Sequence, residues 1–153
     1  MIRVQAEPFD PGAELTAFLA RCGGAGGVAS FVGRVRDRDG ATPILAMTLE
    51  HYPGMTERKL AEIESEARRR WPLADSLVIH RYGRMLPGEP IVLVATAAAH
   101  RQDALAACSF LIDWLKTRAP FWKMEETPAG ARWVEARASD EEAAARWVLA
   151  AAD

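Results

Sequence analysis

The chain has 153 residues, 50% of them hydrophobic and 26% charged, with a formal net charge of -2 and a pI near 6.0. That length and balance predict one globular domain spanning residues 1–153. There is no overall basic field, so nonspecific nucleic-acid binding is not implied and any anionic ligand must be held by a local cluster of cations.

Cys22 and Cys108 are the only cysteines, too few for a disulfide scaffold and without the paired spacing of a zinc site. No window approaches the length of a membrane span, and Met1 to Pro8 lacks a basic region followed by an apolar run. The expectation is a cytoplasmic protein with a reduced thiol pair, no metal, no cofactor and no membrane contact.

In chain order, Ile2 to Ala6 reads as a short strand. Asp10-Pro11 reads as a helix start, with an N-cap oxygen followed by proline at the first helical position. That helix should stop near Cys22-Gly23-Gly24, and Gly23 to Gly27 is read as a flexible turn because it matches no dinucleotide fingerprint. Gly27 to Arg36 and Ile44 to Tyr52 are rich in strand formers, and with Asp37 to Pro43 between them they predict a long hairpin.

After Pro53-Gly54, the positions Leu60, Ile63, Ala67 and Trp71 fall on one face of an amphipathic helix. Ser76 to Tyr82 and Ile91 to Ala98 read as strands separated by Gly83 to Gly88. A wide apolar stripe through Ala104, Leu105, Cys108, Leu111, Ile112 and Leu115 then predicts a helix from about Gln102 to Arg118. Pro120 ends that helix and pushes Ala119 toward extended geometry, so Phe121 to Glu125 and Arg132 to Glu135 are expected as closing strands. Ser139 and Glu142 are spaced as a capping box ahead of an alanine-rich terminal helix. The mixture predicts an α+β class.

Cations recur where these elements end. Lys116 lies in the last turn of the apolar-striped helix and Lys123 just past Pro120, beside Phe121 and Trp122. A lysine in semi-apolar surroundings loses its proton more easily than one in water and can act as nucleophile, base or anion holder. The bland alternative for Lys116 is a cation held by the helix macrodipole, and for Lys123 a surface side chain whose stem covers apolar area. Arg34 and Arg36 share a strand face and, with Arg38, form either an anion grip or a solvated row. Ala99-His100-Arg101 joins a strand to a helix start, where free amides favour anions; a capping histidine and a surface arginine explain it equally. His51 and His80 lack metal-ligand spacing and read as satisfied structural residues, and Cys108 falls inside the apolar stripe.

Taken together, Phe31-Val-Gly-Arg-Val-Arg36, Leu49-Glu-His-Tyr-Pro-Gly-Met55, Ile79-His-Arg-Tyr-Gly83, Pro87-Gly-Glu89, His100-Arg101, Asp113-Trp-Leu-Lys116 and Ala119-Pro-Phe-Trp-Lys123 resemble the large, catalytic subunit of molybdopterin synthase. The resemblance runs in order from about Gly27 to Arg137. It implies an α/β hammerhead with an additional antiparallel sheet, and a sulfurtransferase that converts cyclic pyranopterin monophosphate to molybdopterin by inserting two sulfurs. It also implies a partner, a small ubiquitin-like subunit that brings sulfur as a C-terminal thiocarboxylate, in a heterotetramer built on a homodimer of large subunits.

Carried over by motif, the resemblance implies Lys116 and Lys123 as catalytic residues. It implies substrate contacts from Arg34, Val35, Arg36, His100, Arg101, Lys116, Lys123, Met124, Glu125 and Arg137, with Arg137 reaching across the dimer. A planar guanidinium pairs two oxygens at once, a lysine offers a mobile charge, and clustering with arginines lowers a lysine pKa against the macrodipole. Met124 occupies a position often basic in that family. Two other functions fit the same residues: a noncatalytic module that docks a ubiquitin-like tail around Phe121 and Trp122, and a Schiff-base lysine enzyme acting on a phosphorylated carbonyl compound.

Overall fold

Two four-stranded sheets divide the work of this chain, in a computed structural model that describes residues 1–135 and 137–149. The elements run β1 (Ile2–Gln5), α1 (Pro11–Arg21), β2 (Gly27–Arg34), β3 (Arg38–Asp39), β4 (Thr42–Pro43), β5 (Ala46–His51), α2 (Met55–Arg70), β6 (Leu73–Arg81), β7 (Gly83–Met85), β8 (Pro90–Ala98), α3 (Arg101–Arg118), β9 (Phe121–Thr127), β10 (Gly130–Val134) and α4 (Ala138–Leu149). The class is α+β. No helix among the described residues is long and apolar enough to cross a membrane.

The first sheet has the order β1-β6-β8-β2, with β1 parallel to β6 and the other pairs antiparallel. Its central strands are covered on both faces, which is why Ser76 to Arg81 and Leu93 to Ala98 are buried without interruption. Val78 and Val94 pack under α2 and α3 against Leu60, Ile63, Phe110 and Leu111. Leu77, Ile79, Leu93 and Ala95 face the other way, onto Phe18 of α1. α1 starts as its sequence predicts: the Asp10 carboxylate accepts from the Ala13 amide at 3.1 Å, and Pro11 follows it.

The second sheet, β10-β9-β5-β7, is antiparallel throughout, and its core is a small cluster of Val35, Met47, Leu49 and Met85. The expected long hairpin between residues 27–36 and 44–52 does not form. β2 pairs with β8 in the first sheet, β5 pairs with β9 and β7 in the second, and the connector makes its own short ladder, Arg38 opposite Pro43 and Asp39 opposite Thr42. The cause lies at Val35: the register of β2 shifts between Gly33 and Arg34, and Val35 then buries in the second cluster, pulling the chain out of the first sheet.

Three further expectations change. The stretch Gly83 to Met85 is a strand, because Gly83 turns the chain at φ +91° and Met85 is fully buried opposite Met47 of β5. Gly26 and Gly27 form a tight junction more than a flexible turn. A Cβ on Gly26 would sit 2.2 Å from the Ala99 carbonyl oxygen, and one on Gly27 would sit 3.2 Å from the Arg101 Cα. Ser139 lies inside the first turn of α4 and is not its N-cap, because the Arg137 carbonyl takes the Asp140 amide at 3.0 Å.

Candidate active site

Helix α3 carries Lys116 into position because its inward stripe, Ala104, Ala107, Cys108, Phe110, Leu111 and Leu115, is buried and leaves the next residue exposed. Ala119 then adopts φ -81° and ψ 138°, the extended geometry that a following proline imposes, and the chain turns directly into β9. Lys123 sits on that strand, opposite Leu49 of β5 and Val134 of β10. Strand alternation puts Lys123 and Glu125 on one face and Trp122 and Met124 on the other.

Burial holds the Lys123 ammonium below the ordinary lysine range. The positive charge of Lys116 adds to that effect, Glu125 opposes it, and Arg36 and Arg137 reinforce it. Three of the cations expected from sequence, Lys116, Arg36 and Arg137, thus act on one half-buried amine, and Arg137, expected to reach across a dimer, does so here within its own chain. Glu125, 3% exposed, accepts from Arg132 Nη2 at 3.2 Å. Arg132 Nη2 also donates to Asp39 at 3.1 Å, and the other Asp39 oxygen accepts from Arg137 Nη2 at 3.2 Å.

Behind the lysines lies an aromatic shelf. The His80 ring stacks on Phe121 with centroids 3.9 Å apart and planes at 16°, and His51 lies 4.3 Å from the Tyr82 ring. His80 Nδ1 donates to the Arg81 carbonyl, 2.8 Å away, so Nδ1 is the protonated nitrogen of the neutral ring. Burial pushes the His80 pKa down to about 4, the Arg81 carbonyl opposes this, and His51, Lys116 and Lys123 lower it further. A neutral ring therefore backs the cationic face. His51 is satisfied by Thr56, with Nδ1 and Oγ1 3.1 Å apart. Both histidines have partners for Nδ1, and His80 lies near Lys116 and Lys123, a proximity that its isolated strand position could not reveal.

A second basic feature adjoins the first. Arg34 to Arg38, with Pro87 and Gly88, line an open groove of about 490 Å³. Arg34 Nε donates to the Gly88 carbonyl at 3.0 Å. Val35 forms the floor: its side chain is buried, its amide donates to the Glu89 carbonyl and its carbonyl accepts from the Gly88 amide. Fixed in this way, it sets the direction of its arginine neighbours. Met124 lies on the face of β9 opposite Lys123, and its strand is paired on both sides. Glu125 is likewise enclosed and turned to Arg132.

His100 and Arg101 stand elsewhere. Arg101 opens α3 and Lys116 lies in its last turn, so about 22 Å of helix separates them within one chain. The His100 side chain makes no capping bond, and both residues are exposed. The two cysteines are buried, and burial raises both thiols, Cys108 to about 11, which suits packing and not nucleophilic chemistry. Among the described residues no group of His, Cys, Asp or Glu is placed to hold a metal ion.

The profile of the family described as MoaE protein matches residues 4–118. The chain belongs to the MoaE family. A molybdopterin synthase catalytic subunit from Cereibacter sphaeroides is 58% identical, covering 95% of this chain and 99% of that protein. A solved structure described as the molybdopterin biosynthesis MoaE protein from Burkholderia ambifaria superposes with a TM-score of 0.81 at 54% identity, covering 96% of this chain and 97% of the other. The crystal structure of molybdopterin synthase from Staphylococcus aureus matches with a TM-score of 0.79 at 28% identity, covering 87% and 96%. The chain's function is therefore enzymatic, in molybdopterin synthesis. Lys123 and Arg137 lie beyond the profile match, but a stretch covering 95% of this chain includes both wherever it begins.

Proposed function

We propose that this chain, acting as one domain, uses Lys123 and Lys116 to transfer sulfur onto cyclic pyranopterin monophosphate, making the dithiolene of molybdopterin. Sulfur arrives on the C-terminal thiocarboxylate of a small ubiquitin-like subunit. The observation that carries this reading is the gathering of Lys116, Arg36 and Arg137 around Lys123, whose proton is held loosely, first through burial and then through those charges. Such a site can bind an anion and also stabilise the charge that develops as sulfur attacks the pterin side chain and the acyl group leaves. Neither cysteine is needed, since the sulfur comes from the partner.

Arg34 and Arg36 hold the pterin and its phosphate from the groove at the end of β2. His100 and Arg101 lie too far along α3 to join Lys116 in the same chain. In a homodimer, His100 and Arg101 of the partner subunit complete the site, and a small subunit at each end gives a heterotetramer. The reaction belongs to the cytoplasm, where Cys22 and Cys108 stay reduced.

The test mixes the full chain with thiocarboxylated small subunit and the pyranopterin, and measures dithiolene product. Lys123→Ala should lower the rate roughly 100-fold or more, the scale of losing one preorganised charge-stabilising group, with an unchanged melting temperature. A folded Lys123→Ala protein with full activity overturns the assignment. Tail binding without pterin turnover by the natural chain would leave the docking-module function standing instead.

A further inference from the structure

We infer that Asp39 is a positioning residue for the reaction proposed above, holding Arg137 in a fixed direction near Lys123 and tying it through Arg132 to the buried Glu125. The inference rests on that assignment of the site and adds to it a residue that no sequence motif singles out. Asp39 lies on the β3–β4 hairpin, far along the chain from its partners, and both of its oxygens are engaged: Oδ2 by Arg132 Nη2 at 3.1 Å and Oδ1 by Arg137 Nη2 at 3.2 Å. The same Arg132 nitrogen reaches the buried Glu125 at 3.2 Å. A continuous line of charge, Glu125, Arg132, Asp39, Arg137, thus runs from the interior of β9 to the start of α4.

The arrangement does little for stability, because Arg132 and Arg137 are about half exposed and such pairs contribute little when solvent screens them. Its effect is directional. A guanidinium recognises an anion through a planar fork of donors, which helps only when the plane is already aimed. Asp39 takes one corner of Arg137 and leaves its remaining donors free to face a ligand. It also ties the hairpin that continues from the Arg34 to Arg38 groove to the strand pair bearing Lys123, so the two basic features keep one spacing.

Two carboxylates, Asp39 and Glu125, stand among five cations, Arg36, Lys116, Lys123, Arg132 and Arg137, so the cluster keeps a net positive charge for substrate while each arginine has an anchor. Full-length Asp39→Asn, assayed with thiocarboxylated small subunit and pyranopterin, should raise KM for the pterin about threefold to tenfold, the cost of ordering a freed side chain on binding. Its kcat should stay within about twofold, and Asp39→Glu should restore KM. In an Arg137→Ala background, Asp39→Asn should have almost no further effect, because the two act through one contact.

An unchanged KM, or full additivity with Arg137→Ala, overturns the inference. A lowered KM also overturns it, since Asp39 would then compete with substrate for Arg137. Lys123→Ala run alongside separates the two levels: if that variant is fully active, the site assignment itself fails and the role of Asp39 fails with it, whereas an inactive Lys123→Ala beside an unaffected Asp39→Asn removes only Asp39.

Discussion

The first sheet is buried on both faces and carries few charges near its centre, whereas the second covers a small apolar cluster and presents cations along one face. The first has a large apolar area to hold it, roughly 1.5–3 kcal/mol for each fully buried large side chain. The second concentrates like charge that opposes its own folding. Stability and chemistry are therefore lodged in different sheets, and substitutions should separate them.

The largest effect should come from Phe110→Ala in the first layer. Phe110 is fully buried and meets Trp71, Trp114 and Trp147 with ring centroids 5.4, 4.4 and 5.7 Å away. Its removal should cost about 3–5 kcal/mol in denaturant unfolding, while kcat of the folded fraction stays near normal. A large fall in kcat at unchanged stability would break the division.

A smaller effect belongs to His80, which touches both regions. Its folded pKa of about 4 lies below the ordinary histidine value, so the unfolded chain binds more protons between these two values. The stability from its neutral burial is fully present above about pH 6.5 and is lost as pH falls toward 4. The loss should reach about 2–3 kcal/mol. Unfolding curves at pH 7.5 and 4.5 should show a smaller drop for His80→Gln than for the natural chain, and equal drops would sink the assignment.

The smallest effect should come from Asp10→Ala, which removes the α1 cap bond to the Ala13 amide. It should cost about 1 kcal/mol and leave dithiolene formation unchanged. Any loss of activity would tie α1 to the chemistry and blur the contrast.

The contrast also explains what could be read from residues alone. α1, α2, α3 and the buried strands β6 and β8 announce themselves through caps, a 3.6-residue stripe and unbroken apolar runs, all local signals. The second sheet is assembled from β5, β7, β9 and β10, whose pairing joins residue 47 to residues 85 and 125, and nothing local specifies such a register. The departure at Val35 was hidden for the same reason: its burial depends on a cluster formed by distant segments. In the site, Lys116, Lys123 and Arg36 were legible from their places along the chain, and Arg137 only through the family resemblance. Asp39 and Arg132 were not, because an ion pair between a hairpin and a strand leaves no spacing pattern. His80 read as a satisfied strand residue, and its shelf against Phe121 was hidden because it requires strands from both sheets.

Helix α3 bears Arg101 in its first turn and Lys116 in its last, and in the proposed assembly these ends serve two different reaction centres. Inserting or deleting a single residue between them would swing one end about 100° around the axis relative to the other. Such an indel would misdirect at least one centre even if the core tolerated it. The length of this helix is thus a gauge held to whole-residue tolerance, and variation in chain length among functional relatives should collect outside it.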